Sequence, residues 1–172
     1  MNQIIVQGIG YLALLFVVFS FQKNSRVKIL LIMLAGLLIF FVHFVLLNAW
    51  TGALMNLIEA AVVFVSYKKE TDGWAKKKFW PYIFIILYVV AGLLTAKALI
   101  DFLPVVAQIV GAIAVWQTSP RSIRFIMLIP RPLWFTYNLI VGSYAGMTTE
   151  IFILISVLIG IWRFDVLKKR EK

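Results

Sequence analysis

Hydrophobic residues along this chain fall in long runs, each ended by a short polar break. Seven runs can be marked. They cover Ile4 to Ser20, Ile29 to Leu47, Gly52 to Tyr67, Trp80 to Ala96, Phe102 to Trp116, Phe125 to Val141, and a last run ending near Trp162. A tight break, Asn48 to Gly52, separates the second and third runs, and Lys97 to Asp101 form a turn before the fifth. Gly142 to Thr148 form another before the seventh. Runs of about twenty apolar residues match a hydrocarbon core about 30 Å thick. Backbone groups in lipid must be satisfied within the segment, so all seven are expected to be helices. The absence of short alternating strands excludes a β-barrel. The sixth run is special. Pro130, Arg131 and Pro132 interrupt it. Each proline removes a backbone donor and pushes the residue before it out of the helical region, which predicts a kink or break.

Composition supports lipid as the solvent. Of 172 residues, 63% are apolar and 14% charged, against about 45–50% and about 25% for soluble domains. Seven spans leave no room for a soluble catalytic domain. The chain has no cysteine and one histidine, which excludes disulfides, thiolate sites and a His-rich metal site. Neither a Walker loop, a nucleophile elbow, H-E-x-x-H nor G-x-G-x-x-G occurs, so no enzyme, metal or cofactor is expected. The first twenty residues have no basic leader and read as a permanent span.

The formal charge of +10 would suggest nucleic acid in a soluble protein, but its distribution gives another reading. Fifteen of the seventeen Lys and Arg residues fall after the first, third and fifth runs or in the tail RFDVLKKREK. Lys97 lies in an opposite loop and Arg131 within a span. That asymmetry predicts basic loops and C-terminus in the cytoplasm and N-terminus outside. The basic loops would meet anionic lipid, and no nucleic-acid partner is expected.

The chain also repeats itself. Phe21-Gln22 is followed by Arg26, and Trp116-Gln117 by Arg121, at an offset of 95 residues. The same offset maps His43 onto Asn138. An offset of 94 maps Gly52 onto Gly146 and Asn56 onto Glu150. Two copies of a three-helix unit with a linking fourth span make a parallel 3+1+3 repeat. The expected units are 1–67, a basic loop and linker helix over 68–98, and 99–172. This arrangement resembles SWEET and PQ-loop transporters, with Phe21 and Trp116 where the PQ-loop proline would stand. A closer resemblance is to the YgjV-type bacterial inner membrane proteins. His43 to Leu47, Phe102-Leu103-Pro104, Asn138, Gly142 to Gly146, Thr149-Glu150 and Arg163 carry it. It implies the bacterial inner membrane and the SWEET-like fold, with no substrate.

Polar side chains inside spans are the functional candidates, because a central charge is costly in lipid. Glu59, with Asn56 at i−3 on the same face, suggests a midplane site, or a carboxyl group hydrogen-bonded to a neighbouring helix. His43, Asn138, Asn56 and Glu150 could line a cavity open to the outside, with His43 and Glu150 forming an ion pair. Alternatively, they are separate interhelical hydrogen bonds. Arg131 could bind an anion, pair with Glu59, or snorkel to headgroups. Gln108 stands one turn after Pro104, and Trp134 and Tyr137 could wall a pocket. Ser143 near His43 is a weak serine–histidine match and fits turn chemistry better. Trp50, Trp74, Trp80, Trp116, Tyr144 and Trp162, near span ends, read as an aromatic belt.

The expected fold is therefore an all-α polytopic membrane protein of seven transmembrane helices. The leading functional expectation is alternating-access transport of a small solute. The alternative is a non-transporting scaffold or accessory subunit. A homodimer is compatible with the spans.

Overall fold

The computed structural model describes residues 2–20, 23, 25–69, 71–115, 117 and 119–167. Phe21, Gln22 and Trp116, which carry much of the repeated turn motif, lie outside the described residues, as does the end of the basic tail. Eight α-helices follow one another: α1 (Gln3–Ser20), α2 (Arg26–Leu46), α3 (Trp50–Lys68), α4 (Trp80–Thr95), α5 (Phe102–Val115), α6 (Pro120–Ile126), α7 (Pro130–Val141) and α8 (Tyr144–Ile161). A π-helical turn, Trp162–Leu167, continues α8. Four segments are long and apolar enough to cross a membrane: Gln3–Ser20, Val27–Leu46, Trp50–Lys68 and Tyr144–Val166. Trp80–Thr95 and Leu99–Ala114 are shorter apolar helices. Only 22% of the α2 window is buried within the protein, so most of its apolar surface faces outward, as lipid requires.

The expected sixth span is two helices. α6 ends at Ile126 and α7 begins at Pro130. Proline at the first helical position has no N–H to lose, so the chain restarts there. α7, with 12 residues, is about 18 Å long at 1.5 Å per residue, too short to cross by itself. Two boundaries differ from expectation. The loop after α5 is itself largely helical, because Ser119 caps α6 by accepting from the Ser122 N–H and Pro120 opens the first turn. The turn before α8 shrinks to Gly142 and Ser143. Gly142 adopts φ 73°, the left-handed conformation that ends a helix. The Ser143 hydroxyl then accepts from the Gly146 N–H, 3.1 Å away, and α8 starts at once.

The helices close into a ring. α1 packs on α2, α2 on α3, α3 on α5, α5 on α7, α7 on α8, and α8 returns to α1. α4 packs on α3 and α5, and its Leu93 and Leu94 point away, strongly exposed. An aromatic cluster joins opposite halves, with the Phe44 ring 6.0 Å from Trp134 and 6.2 Å from Tyr137. Trp50, Trp74, Tyr144 and Trp162 are exposed near helix ends, whereas Trp80 stacks on Phe84 at 5.7 Å.

The helix ends nearest Lys68, Arg124 and Arg163 form one end of the ring, called here the basic end. There Arg124 holds Asp165 through two hydrogen bonds of 2.8 Å, tying α6 to the turn after α8. On the loop after α3, Lys68 pairs with Asp72 at 3.2 Å. The Thr71 hydroxyl and the Lys68 ammonium hold the Asp72 carboxyl below its ordinary range.

Candidate functional site

A cavity of about 210 Å³ lies inside the ring. All six ring helices line it: Val17 from α1, Phe40 and Phe44 from α2, Asn56 and Glu59 from α3, Gln108 from α5, Arg131, Trp134 and Asn138 from α7, and Thr149 and Glu150 from α8. Helical spacing explains the set. Asn56 and Glu59 are three residues apart, and Arg131, Trp134 and Asn138 follow at three and four, so each group shares one face. Of the residues singled out from the sequence, Asn56, Glu59, Gln108, Arg131, Trp134, Asn138 and Glu150 meet here. His43 does not.

Three partnerships organise the polar groups. Arg131 Nη1 donates to Glu150 Oε2 at 2.9 Å, with both side chains largely buried. The Tyr88 hydroxyl, on α4, donates to Glu59 Oε2 at 2.5 Å. Asn56 Nδ2 donates to the Gly52 carbonyl at 2.9 Å. The expected Arg131–Glu59 pair is thus replaced by Arg131–Glu150. Arg131 begins α7 and Glu150 lies two turns into α8, and the tight Gly142–Ser143 turn sets those helices side by side. Among the described residues, two buried side-chain atoms lack a hydrogen-bond partner, Arg131 Nε and Asn138 Oδ1.

His43 pins the far end of the ring. Its Nδ1 lies 2.9 Å from the Val6 carbonyl and its Nε2 2.8 Å from Ser143 Oγ. A carbonyl can only accept, so Nδ1 carries the proton and Nε2 accepts from the serine hydroxyl. The expected His43–Glu150 ion pair is not formed, because Ser143 at the α8 cap takes the ring nitrogen and Arg131 takes the acid. The Ser143–His43 contact is fully buried and its hydroxyl is also the α8 cap. It has the geometry of a structural pin.

More bonds cross the ring at that end. The Gly52 N–H donates to the Tyr137 hydroxyl at 2.9 Å. Gln7 donates to the Gly142 carbonyl at 2.7 Å and accepts from the Tyr144 N–H at 3.1 Å. Tyr137 therefore holds a helix end and does not wall the cavity. A Cβ on Gly52 would stand 2.7 Å from the Tyr137 ring, so this approach needs glycine.

Burial of the lining residues shows which way the cavity opens. On α2, Phe44 and Phe40 are buried, and Leu37 and Met33, further toward the basic end, are half-buried. On α8, Gly146, Thr149 and Glu150 are buried and Ile153 is half-buried. On α3, Asn56 is buried and Glu59 half-buried, and α7 runs the same way from Asn138 to Arg131. Exposure rises toward the basic end on all four helices. Among the described residues the lining is least covered toward the basic end, and it is closed beneath His43, Tyr137 and Ser143 at the other.

Sequence reading missed Tyr88, whose hydroxyl in the middle of an apolar run was the available signal. It also missed Thr149 and the aromatic wall of Phe40 and Phe44, which resemble lipid-facing positions until the ring is closed. Among the described residues, no three His, Asp or Glu side chains come together to hold a metal ion.

A helical chain with apolar outer faces and its polar side chains gathered in an interior cavity is an integral membrane protein. The match to known families is specific: the chain belongs to the Imp-YgjV family of bacterial inner membrane proteins, which it matches over residues 4–168. No curated protein and no solved structure matches it.

Proposed function

We propose that this protein carries a small solute across the bacterial inner membrane by alternating access, as a transporter and not an enzyme. The observation that carries this reading is a cavity lined by every helix of the ring, into which Asn56, Glu59, Gln108, Arg131, Asn138 and Glu150 project, and which hydrogen bonds close at the end away from the basic loops. A scaffold needs interhelical hydrogen bonds. It does not need a hollow at the centre of the ring with polar side chains from several helices turned into it.

The reading includes a SWEET-like 3+1+3 repeat. α1, α2 and α3 pack in order, as do α5, α7 and α8, and α4 stands outside both sets. His43, on the middle helix of the first half, reaches the start of α8. Tyr137, beside His43's counterpart Asn138 on the middle helix of the second half, reaches the start of α3. In such repeats the halves rock about a fixed central site. With the basic loops cytoplasmic and the N-terminus outside, the form described is inward-open, its basic loops beside anionic lipid.

The test is solute entry into proteoliposomes, screened over amines, amino acids, sugars, nucleosides and organic anions. Melting shifts of the purified protein provide the parallel readout. A ligand at one hundred times Kd stabilises the folded protein by about 2.7 kcal/mol. Saturable entry that disappears in Asn138→Leu, with the variant still folded, supports transport. Neither entry nor a melting shift across the panel, with function lost instead on neutralising Lys76, Lys77 and Lys78, favours the scaffold reading.

A further inference from the structure

One hydroxyl proton at the closed end stands between two acceptors. The Ser143 hydroxyl donates to His43 Nε2 at 2.8 Å and accepts from the Gly146 N–H at 3.1 Å. Beside it is Asn138 Oδ1, a buried oxygen that takes no hydrogen bond from a described residue. Both oxygens lie 2.6 Å from the point that a Cβ on Gly146 would occupy, so they are near neighbours, and the glycine leaves their approach free. The two acceptors belong to different halves of the repeat. Asn138 and Ser143 are bound into one turn, because the Asn138 carbonyl accepts from the Gly142 and Ser143 N–H groups. His43 is bound to the first half, since its Nδ1 donates to the Val6 carbonyl on α1. When the halves part, His43 leaves with the first, and Asn138 stays beside the serine.

From this arrangement we infer that the Ser143 hydroxyl is a two-position switch of the closed end. In the shut form it holds His43. In the open form it turns to Asn138 Oδ1. The inference rests on the transport reading, which supplies the second state. A hydroxyl has one proton to give, so the two bonds exclude each other. The bond lost on opening is replaced by one inside the second half, which keeps the two forms close in energy. His43 Nε2 then meets water at the opened mouth. Asn138 also lines the cavity, so the open-state partner of the switch lies in the space that the solute occupies. A simple pin between α2 and α8 has no use for a second acceptor.

The Gly52 amide reports the opening. It belongs to the first turn of α3, where N–H groups have no acceptor within the helix, and it donates across the halves to the Tyr137 hydroxyl at 2.9 Å. Its hydrogen-exchange rate, measured on the full chain in detergent without solute, follows the fraction of open molecules. His43→Leu should speed this exchange, because the shut form loses a bond. Asn138→Leu should slow it, because the open form loses one. Each change should be about three- to tenfold, the contribution of a single hydrogen bond. The opposite signs separate a switch from general loosening, which would speed exchange in both variants. With Ser143→Ala already present, Asn138→Leu should leave the rate unchanged. Should Asn138→Leu not fold, Asn138→Ala removes the same oxygen without added bulk and should also slow exchange. Faster or unchanged exchange in the Asn138 variants, or the same slowing without the Ser143 hydroxyl, overturns the switch. Solute entry is a separate measurement, so the transport reading stands or falls apart from this one.

Discussion

His43 and Ser143 are 100 residues apart in sequence and 2.8 Å apart in space. The bond joins the middle helix of the first three to the cap of the last helix. The second nitrogen of the same ring holds α1 through the Val6 carbonyl. One side chain therefore ties three helices together where the cavity is closed.

Removing that tie should loosen the closed end. Interhelical hydrogen bonds in membrane proteins contribute about 0.6 kcal/mol each and at most about 1.7. His43→Leu should lower stability by about 1–3 kcal/mol, read by thermal unfolding in detergent. An unchanged melting curve would show that the ring closes without it.

The opening direction can be read chemically, because the chain has no cysteine and labelling has no background. Ile153→Cys should react with a membrane-impermeant maleimide added on the basic side. Thr51→Cys, at the closed end, should react from neither side. Adding His43→Leu to Thr51→Cys should expose the thiol. Equal labelling of both positions in the otherwise unaltered protein would contradict a one-ended cavity.

Arg131 and Glu150 should behave as a unit. Removing one partner of a largely buried pair strands the other charge and typically destabilises by about 3–5 kcal/mol. Arg131→Gln and Glu150→Gln should each be more harmful than the double change. A double-mutant cycle over melting free energies reads the coupling, and additive effects would mean that the pair does not interact.

Glu59 and Tyr88 give a gentler case. Glu59→Gln keeps an oxygen to accept the tyrosine hydroxyl and should stay within about 1 kcal/mol of the parent. Glu59→Leu leaves that hydroxyl without its partner and should be worse by about 1–3 kcal/mol. The order of the two melting temperatures is the check, and a reversed order would remove Tyr88 from the account.

The sequence by itself determined that the chain is a helical membrane protein, because lipid offers no hydrogen bonds and forces long apolar helices. It also located the break before Pro130, since proline chemistry is local, and Asn56, Glu59, Arg131, Asn138 and Glu150, since polar groups in apolar runs need a reason. Tertiary structure decided the partners. Arg131 chose Glu150 over Glu59, and His43 chose Ser143 over Glu150, because the two-residue turn at Gly142–Ser143 lays α8 against α7 and brings its cap to α2. Periodicity gives the face of a helix and not the neighbour it meets. Phe40 and Phe44 could not be told from lipid-facing residues until the ring had closed around them.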